Sequence, residues 1–98
     1  MAAVKLSARA LAHLERIFEF AAETDPARAL LTVQEIREAV MILERHPLLG
    51  RAVEDGRREL VISQGRNAYL ALYRWWPAHD TVLVLAIRHA RQAGYSGD

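Results

Sequence analysis

No cysteine occurs in the 98 residues, so disulfide frameworks, cysteine-based zinc sites and thiol nucleophiles are excluded. Long apolar runs are absent as well. The longest, Thr81–Ile87, has the length of a strand, well short of the roughly 20 residues that a membrane helix requires. The N-terminal stretch Met1–Leu6 lacks the apolar core of a signal peptide. The expected location is the cytoplasm, with no membrane partner. Glycine is sparse and scattered and builds no phosphate-cradling loop. His13, His46 and His79 show no metal-ligand spacing. No metal and no cofactor are therefore expected. Charge of one sign is not in excess either: the net charge is +1, which by itself does not mark a nucleic-acid binder.

What is present is the material of an ordinary core. Hydrophobic residues make up 52% and charged residues 26%, the balance of a folded soluble protein. The length fits one domain over residues 1–98. Charge is unevenly placed. Residues 1–50 hold six Lys/Arg against seven Asp/Glu, whereas residues 51–98 hold seven Arg, no Lys and five Asp/Glu. The basic charge of the second half is thus all guanidinium, whose planar donor fork suits carboxylates and phosphates. The plainer account is a solvated surface with exposed ion pairs.

Periodicity predicts the order β-α-α-β-β-β. Val4–Leu6 reads as a short strand and Ser7 as an N-cap. From Ala8, the residues Leu11, Leu14, Phe18 and Ala21 form one helical stripe. Thr24-Asp25-Pro26 ends that helix and starts another, with Asp25 able to cap and Pro26 suited to the first helical position. The second helix, to about Arg45, repeats Leu30, Val33, Ile36, Val40 and Leu43 at three and four residues. Leu31, Met41 and Ile42 lie off that stripe, either buried under the sheet or forming a patch for a partner chain. His46-Pro47 stops the helix, and Pro47–Arg57 reads as a loop.

The period then changes to two. Strands are predicted at Arg58–Ser63, Asn67–Trp76 and Thr81–His89, with turns at Gln64-Gly65-Arg66 and Pro77–Asp80. In the middle strand Leu70 and Leu72 share one face, and Tyr69, Ala71, Tyr73 and Trp75 the other. Ala90–Asp98 reads as a polar tail that leaves the sheet at Gly94. The fold class is α+β. A helical hairpin packs on one face of a small antiparallel sheet, which Val4–Leu6 joins, and the other face stays bare and free for a site.

Four motifs, in this order, resemble the RelE/ParE toxin superfamily. Glu44-Arg45-His46-Pro47-Leu48-Leu49-Gly50-Arg51 resembles the helix end and loop of ParE-like toxins, where His-Pro is followed by Gly-Arg. Arg58-Glu59-Leu60 matches an Arg-x-Leu strand, and Ala68–Arg74 resembles a tyrosine-rich strand ending in Tyr-Arg. Val82–Gln92 resembles the last strand and its His-x-Arg exit. The resemblance spans nearly the whole chain. It implies a RelE/ParE-like fold and the toxin of a bacterial type II toxin–antitoxin module, a class that includes plasmid stabilisation proteins. It further implies a cognate antitoxin as partner, operator DNA reached only through that antitoxin, and assembly as a homodimer or a heterotetramer with the antitoxin. ParE-type members act on DNA gyrase, and RelE-type members cleave messenger RNA in the ribosome.

Cleavage of RNA by its own 2′-hydroxyl needs one group to take the proton, one to neutralise the phosphorane and one to protonate the leaving oxygen. RelE-type enzymes are similar in placing an arginine in the third strand, three residues before a tyrosine. Here that position, three before Tyr73, is Leu70. The departure favours a ParE-like toxin that binds gyrase and has no catalytic centre. The alternatives are a RelE-like ribosome-dependent endonuclease using His89 and Arg74, and an inactive structural member. His89 titrates near neutrality in its ordinary state, but strict alternation groups it with Leu83, Leu85 and Ile87 as a structural residue. The expected target contacts are Arg51, Arg58, Arg88, His89, Arg91 and Tyr95, because arginine and tyrosine dominate binding hot spots. Each arginine also reads as surface charge, and Tyr95 also as a pin for the tail. The expected antitoxin contacts are Leu31, Met41 and Ile42 with the row Tyr69, Tyr73 and Trp75. That row reads equally as a packed sheet face or as a stacking surface for bases.

Overall fold

The computed structural model describes residues 1–64 and 67–97. Strand β1 spans Ala3–Leu6, helix α1 Ala8–Ala22, helix α2 Pro26–Met41, β2 Arg51–Ala52, β3 Arg58–Gln64, β4 Asn67–Trp76 and β5 Thr81–His89. The turn expected at Gln64-Gly65-Arg66 lies, at 65–66, outside the described residues. Ser7 caps α1, its hydroxyl accepting from the Ala10 N–H at 3.1 Å. Asp25 caps α2 by accepting from the Arg28 N–H at 3.1 Å, and Pro26 takes the first turn. Helix α2 stops earlier than expected, and Ile42–Glu44 continues as a 3₁₀ turn. The sequence also hid β2, a two-residue strand inside the expected loop.

The sheet runs β1-β5-β4-β3-β2. Strands β2 to β5 are antiparallel neighbours, and β1 joins in parallel beside β5 with Val4 opposite Val82, so the sheet is mixed. The helical hairpin covers one face. Ala10, Leu14, Ile36, Val40 and Leu43 meet Leu60, Ile62, Tyr69, Ala71, Tyr73, Val82, Val84 and Ile87 there. The line of α2 that goes inward is Ala29, Thr32, Ile36 and Val40. Leu30 instead points out, as do Leu11 and Phe18 of α1. The apolar surface left on the hairpin is therefore wider than the sequence stripe suggested.

Register along β5 is not regular. Leu72 pairs with Ala86 but Tyr73 with Val84, so Leu85 is an extra residue at a bulge. Beyond it Ile87 joins Val82 and Val84 in the helix-facing core, and His89 follows Ile87 two residues on. The expected grouping of His89 with Leu83 and Leu85 is corrected by this one-residue insertion. Helix α1 supplies partners at the irregularity. The Ser7 hydroxyl donates to the Leu85 carbonyl at 3.0 Å, the Ser7 N–H to the Val84 carbonyl at 2.9 Å, and the Ile87 N–H to Nδ1 of buried His13 at 3.0 Å.

Two further expectations change. Tyr69 and Tyr73 lie under the helices, with Tyr73 wholly buried, and Trp75 packs against the same core. The aromatic row is thus a packed face in this fold, not an exposed antitoxin surface or a stacking platform. The face opposite the helices is not bare: Leu70 and Leu72 are only 9% and 5% exposed, and Tyr95, from the chain after β5, lines the same hollow as Leu72.

Candidate functional site

The His-Pro…Gly-Arg loop and the Tyr-Arg strand, separate motifs in the sequence, interlock through one hydroxyl. Tyr73 donates to the Pro47 carbonyl at 2.7 Å and accepts from the Gly50 N–H at 2.9 Å. Arg58 donates to the Gly50 carbonyl at 2.8 Å and to the Leu48 carbonyl at 3.3 Å. A side chain at position 50 would meet the Tyr73 ring at 2.7 Å and the Glu59 carbonyl at 2.9 Å, so glycine is there for close approach. The loop delivers Arg51 to β2, opposite Glu59 of β3.

Glu59 is the centre of the face turned away from the helices. Among the described residues it is the one buried acidic side chain, 6% exposed. A buried carboxylate is costly unless charges and donors surround it, and here they do. Arg51 donates to Oε1 from Nε at 3.2 Å and from Nη2 at 2.7 Å, and the Tyr95 hydroxyl donates to Oε2 at 2.8 Å. The Arg88 guanidinium stands 5.1 Å from the centroid of the Tyr95 ring, a cation–π distance. Burial opposes ionisation of Glu59, but the hydrogen bonds from Arg51 and Tyr95 and the charges of Arg51 and Arg88 outweigh it, so the carboxyl lies below the ordinary range. Burial, and then the neighbouring Glu59, push the Tyr95 phenol well above its usual value.

The exit segment does not leave the sheet as expected. Gly94, at φ +85, turns it back, a conformation that favours glycine. Arg88 donates to the carbonyls of Ala90 and Gln92. Ser96 is tied to α1, its carbonyl accepting from Arg9 at 2.8 and 2.6 Å and its hydroxyl from Arg16 at 3.0 Å. Polar tethers therefore order a segment that apolar periodicity cannot detect, and of the two sequence readings of Tyr95 the pin for the tail describes its contacts.

His89 sits on the helix side, edge-on to Tyr69 with ring centroids 5.2 Å apart. Its Nδ1 accepts from the Arg91 N–H at 3.0 Å, and Nε2 lies 3.1 Å from Asn67 Oδ1. Both contacts are met by the tautomer with its proton on Nε2. The structure thus brings Arg51, Arg88 and Tyr95 together on one face. Arg58 is spent on the loop, and His89 lies on the other side. Arg91 is exposed, and its side chain makes no hydrogen bond or ion pair among the described residues. Arg74 is half-buried, opposite Leu83, on the face turned away from the helices. Leu31, Met41 and Ile42 are exposed on the hairpin. Sequence reasoning missed Glu59 as a hub. The available signal was an acidic residue between two arginine-bearing motifs, next to Arg58 at the start of the expected strand. Among the described residues no three His, Asp or Glu side chains group as metal ligands.

A family model described as the ParE toxin of the type II toxin–antitoxin system parDE matches residues 4–94. Toxin RelE3 of Caulobacter vibrioides is 31% identical over 90 residues, which cover 92% of this chain and 96% of that protein. Among solved structures, the chromosomal ParDE toxin–antitoxin system from P. aeruginosa is similar at a TM-score of 0.76 and 28% identity, covering 91% of this chain and 96% of the matched one. The intact RelBE toxin–antitoxin complex of E. coli shares the fold, at a TM-score of 0.66 and 9% identity over 94% of this chain and 100% of the matched one. The chain therefore belongs to the ParE family, the toxins of type II toxin–antitoxin systems.

Proposed function

We propose that this toxin inhibits DNA gyrase by binding it, through the face that carries Arg51, Arg88 and Tyr95 together with the exposed Arg91, and that a cognate antitoxin neutralises it. The observation that carries the reading is the chemistry at the centre of that face. Leu70 and Leu72 floor it, and its buried acid, Glu59, is paired and below its ordinary range. The leucines carry no titratable proton, and a paired carboxylate held below its ordinary range is a poor proton acceptor near neutral pH. His89, the remaining acid–base candidate, has both ring nitrogens engaged within the chain. What the face offers instead is arginine and tyrosine, the types that make protein hot spots. Antitoxin binding is assigned to the hairpin. Leu31, Met41 and Ile42 are exposed there, and a groove between α1 and α2 is lined by Leu11, Phe18 and Val33, which suits an amphipathic segment. The test is DNA supercoiling by purified gyrase with the toxin added. Inhibition is expected, with messages on translating ribosomes left intact. Site-specific message cleavage without an effect on gyrase would replace this reading with the RelE-like one.

A further inference from the structure

By sequence, the Gly50-Arg51 loop and the Arg88–Tyr95 exit segment are separate contributors to target binding. In space they end on the two oxygens of one carboxylate, Arg51 on Oε1 and Tyr95 on Oε2. We propose that Glu59 is a positioning residue, which makes the loop strand and the exit segment one prearranged target-binding surface. This rests on the reading above that the exit segment meets the target.

Three observations carry it. First, a leucine or valine at position 59 would match the neighbouring Leu70 and Leu72 and avoid desolvating a charge, which is often the more stable choice. The carboxylate instead holds two partners that come from the least regular parts of the chain. Arg51 lies on a two-residue strand and Tyr95 in an irregular tail. Second, Glu59 orients its partners without hiding them. The Arg51 side chain keeps 72% of its exposure while bonded, and Tyr95 remains partly exposed. Third, Tyr95 follows directly on the Gly94 bend at φ +85. The Glu59 bond therefore fixes the point where the exit segment comes back to the sheet. A contact ordered before binding loses less freedom on binding than a loose tail would.

The experiment expresses the full-length toxin from a titratable promoter. It measures the dose for half-maximal growth inhibition, with circular dichroism and antitoxin capture as checks on folding. Glu59→Gln keeps the shape and an acceptor but removes the charge; Tyr95→Phe keeps the ring and removes only the hydroxyl. Each should raise the required dose about tenfold, the size of a modest hot-spot loss, with antitoxin capture unchanged. The double variant should be no worse than Glu59→Gln alone, since the Tyr95 hydroxyl acts through that carboxylate. In Glu59→Gln the ultraviolet titration step of Tyr95, assigned by comparison with Tyr95→Phe, should move down towards the ordinary tyrosine range. Wild-type potency of Tyr95→Phe, or fully additive losses in the double variant, overturns the proposal, and Tyr95→Phe alone decides if Glu59→Gln does not fold. A chain lacking residues 92–98 separates the two levels. If it is harmless while both single variants keep full potency, only the role of Glu59 fails. If it keeps full potency, the target reading fails and the role of Glu59 with it.

Discussion

The Tyr73 hydroxyl, wholly buried and 2.7 Å from the Pro47 carbonyl, explains why two distant motifs occur together: each is the other's hydrogen-bond partner. Tyr73→Phe leaves the Gly50 N–H without its acceptor in a buried site, which costs about 1–3 kcal/mol. Gly50→Ala forces the Tyr73 ring or the β3 backbone to move, an overpacking cost of about 1–3 kcal/mol. Urea unfolding of the two variants measures both, and a loss near zero in each would sink this account of the loop. His13 is the parallel case in α1. Replacing it with leucine removes the acceptor of the Ile87 N–H, so stability should fall by about 1–3 kcal/mol, with faster exchange of the Ile87 amide. These motifs were legible as residues, but their pairing was not, because spacing along a chain does not say which turn a strand residue will reach. His13 carried a visible clue: a histidine one residue before Leu14, on the buried side of the helical stripe.

At the scale of elements, all the helices and long strands were readable, since each has a clear period and a chemical stop signal. The failures have definite physical causes. Strand β5 is apolar on both faces, so nothing in its pattern marks the extra residue at Leu85, and alternation placed His89 on the wrong side. The tail has no large aliphatic residue, so its order, built from Arg88, Arg9, Arg16 and Glu59, left no periodic trace. That polar construction makes the clasp sensitive to pH. Glu59 has a lowered pKa when folded, so its stabilisation is present above the ordinary glutamate value of about 4.3 and is lost as pH falls through the lower folded value. Tyr95 has a raised one, so its stabilisation is present below the ordinary tyrosine value of about 10 and is lost as pH rises through the folded value. Thermal unfolding across pH should therefore show a smaller acid-side loss in Glu59→Gln than in wild type. An unchanged acid limb would show that Glu59 is not a stabilising group.

For the molecule as a whole, the sheet separates two kinds of surface. The hairpin side presents apolar residues, Leu11, Leu30, Leu31, Met41 and Ile42 among them. The opposite side presents the arginine–tyrosine cluster around Glu59. A wide exposed apolar area on a small chain is a partner surface or an aggregation hazard. Expressed alone, the chain should be toxic or poorly soluble, and a co-expressed antitoxin should correct both. A soluble, harmless chain indifferent to its antitoxin would argue against assigning the hairpin to that partner. The division of surfaces also predicts that target contact can be removed without disturbing antitoxin binding. Arg91→Ala, in a side chain with no partner among the described residues, should weaken target binding by about 1–3 kcal/mol, the size of a hot-spot loss. The most direct measurement is gyrase supercoiling activity titrated with the wild-type toxin and with a chain lacking residues 92–98, both shown to capture the antitoxin. Inhibition by the wild type and none by the shortened chain is expected. Supercoiling untouched by the wild type, or inhibited equally by both, would contradict it.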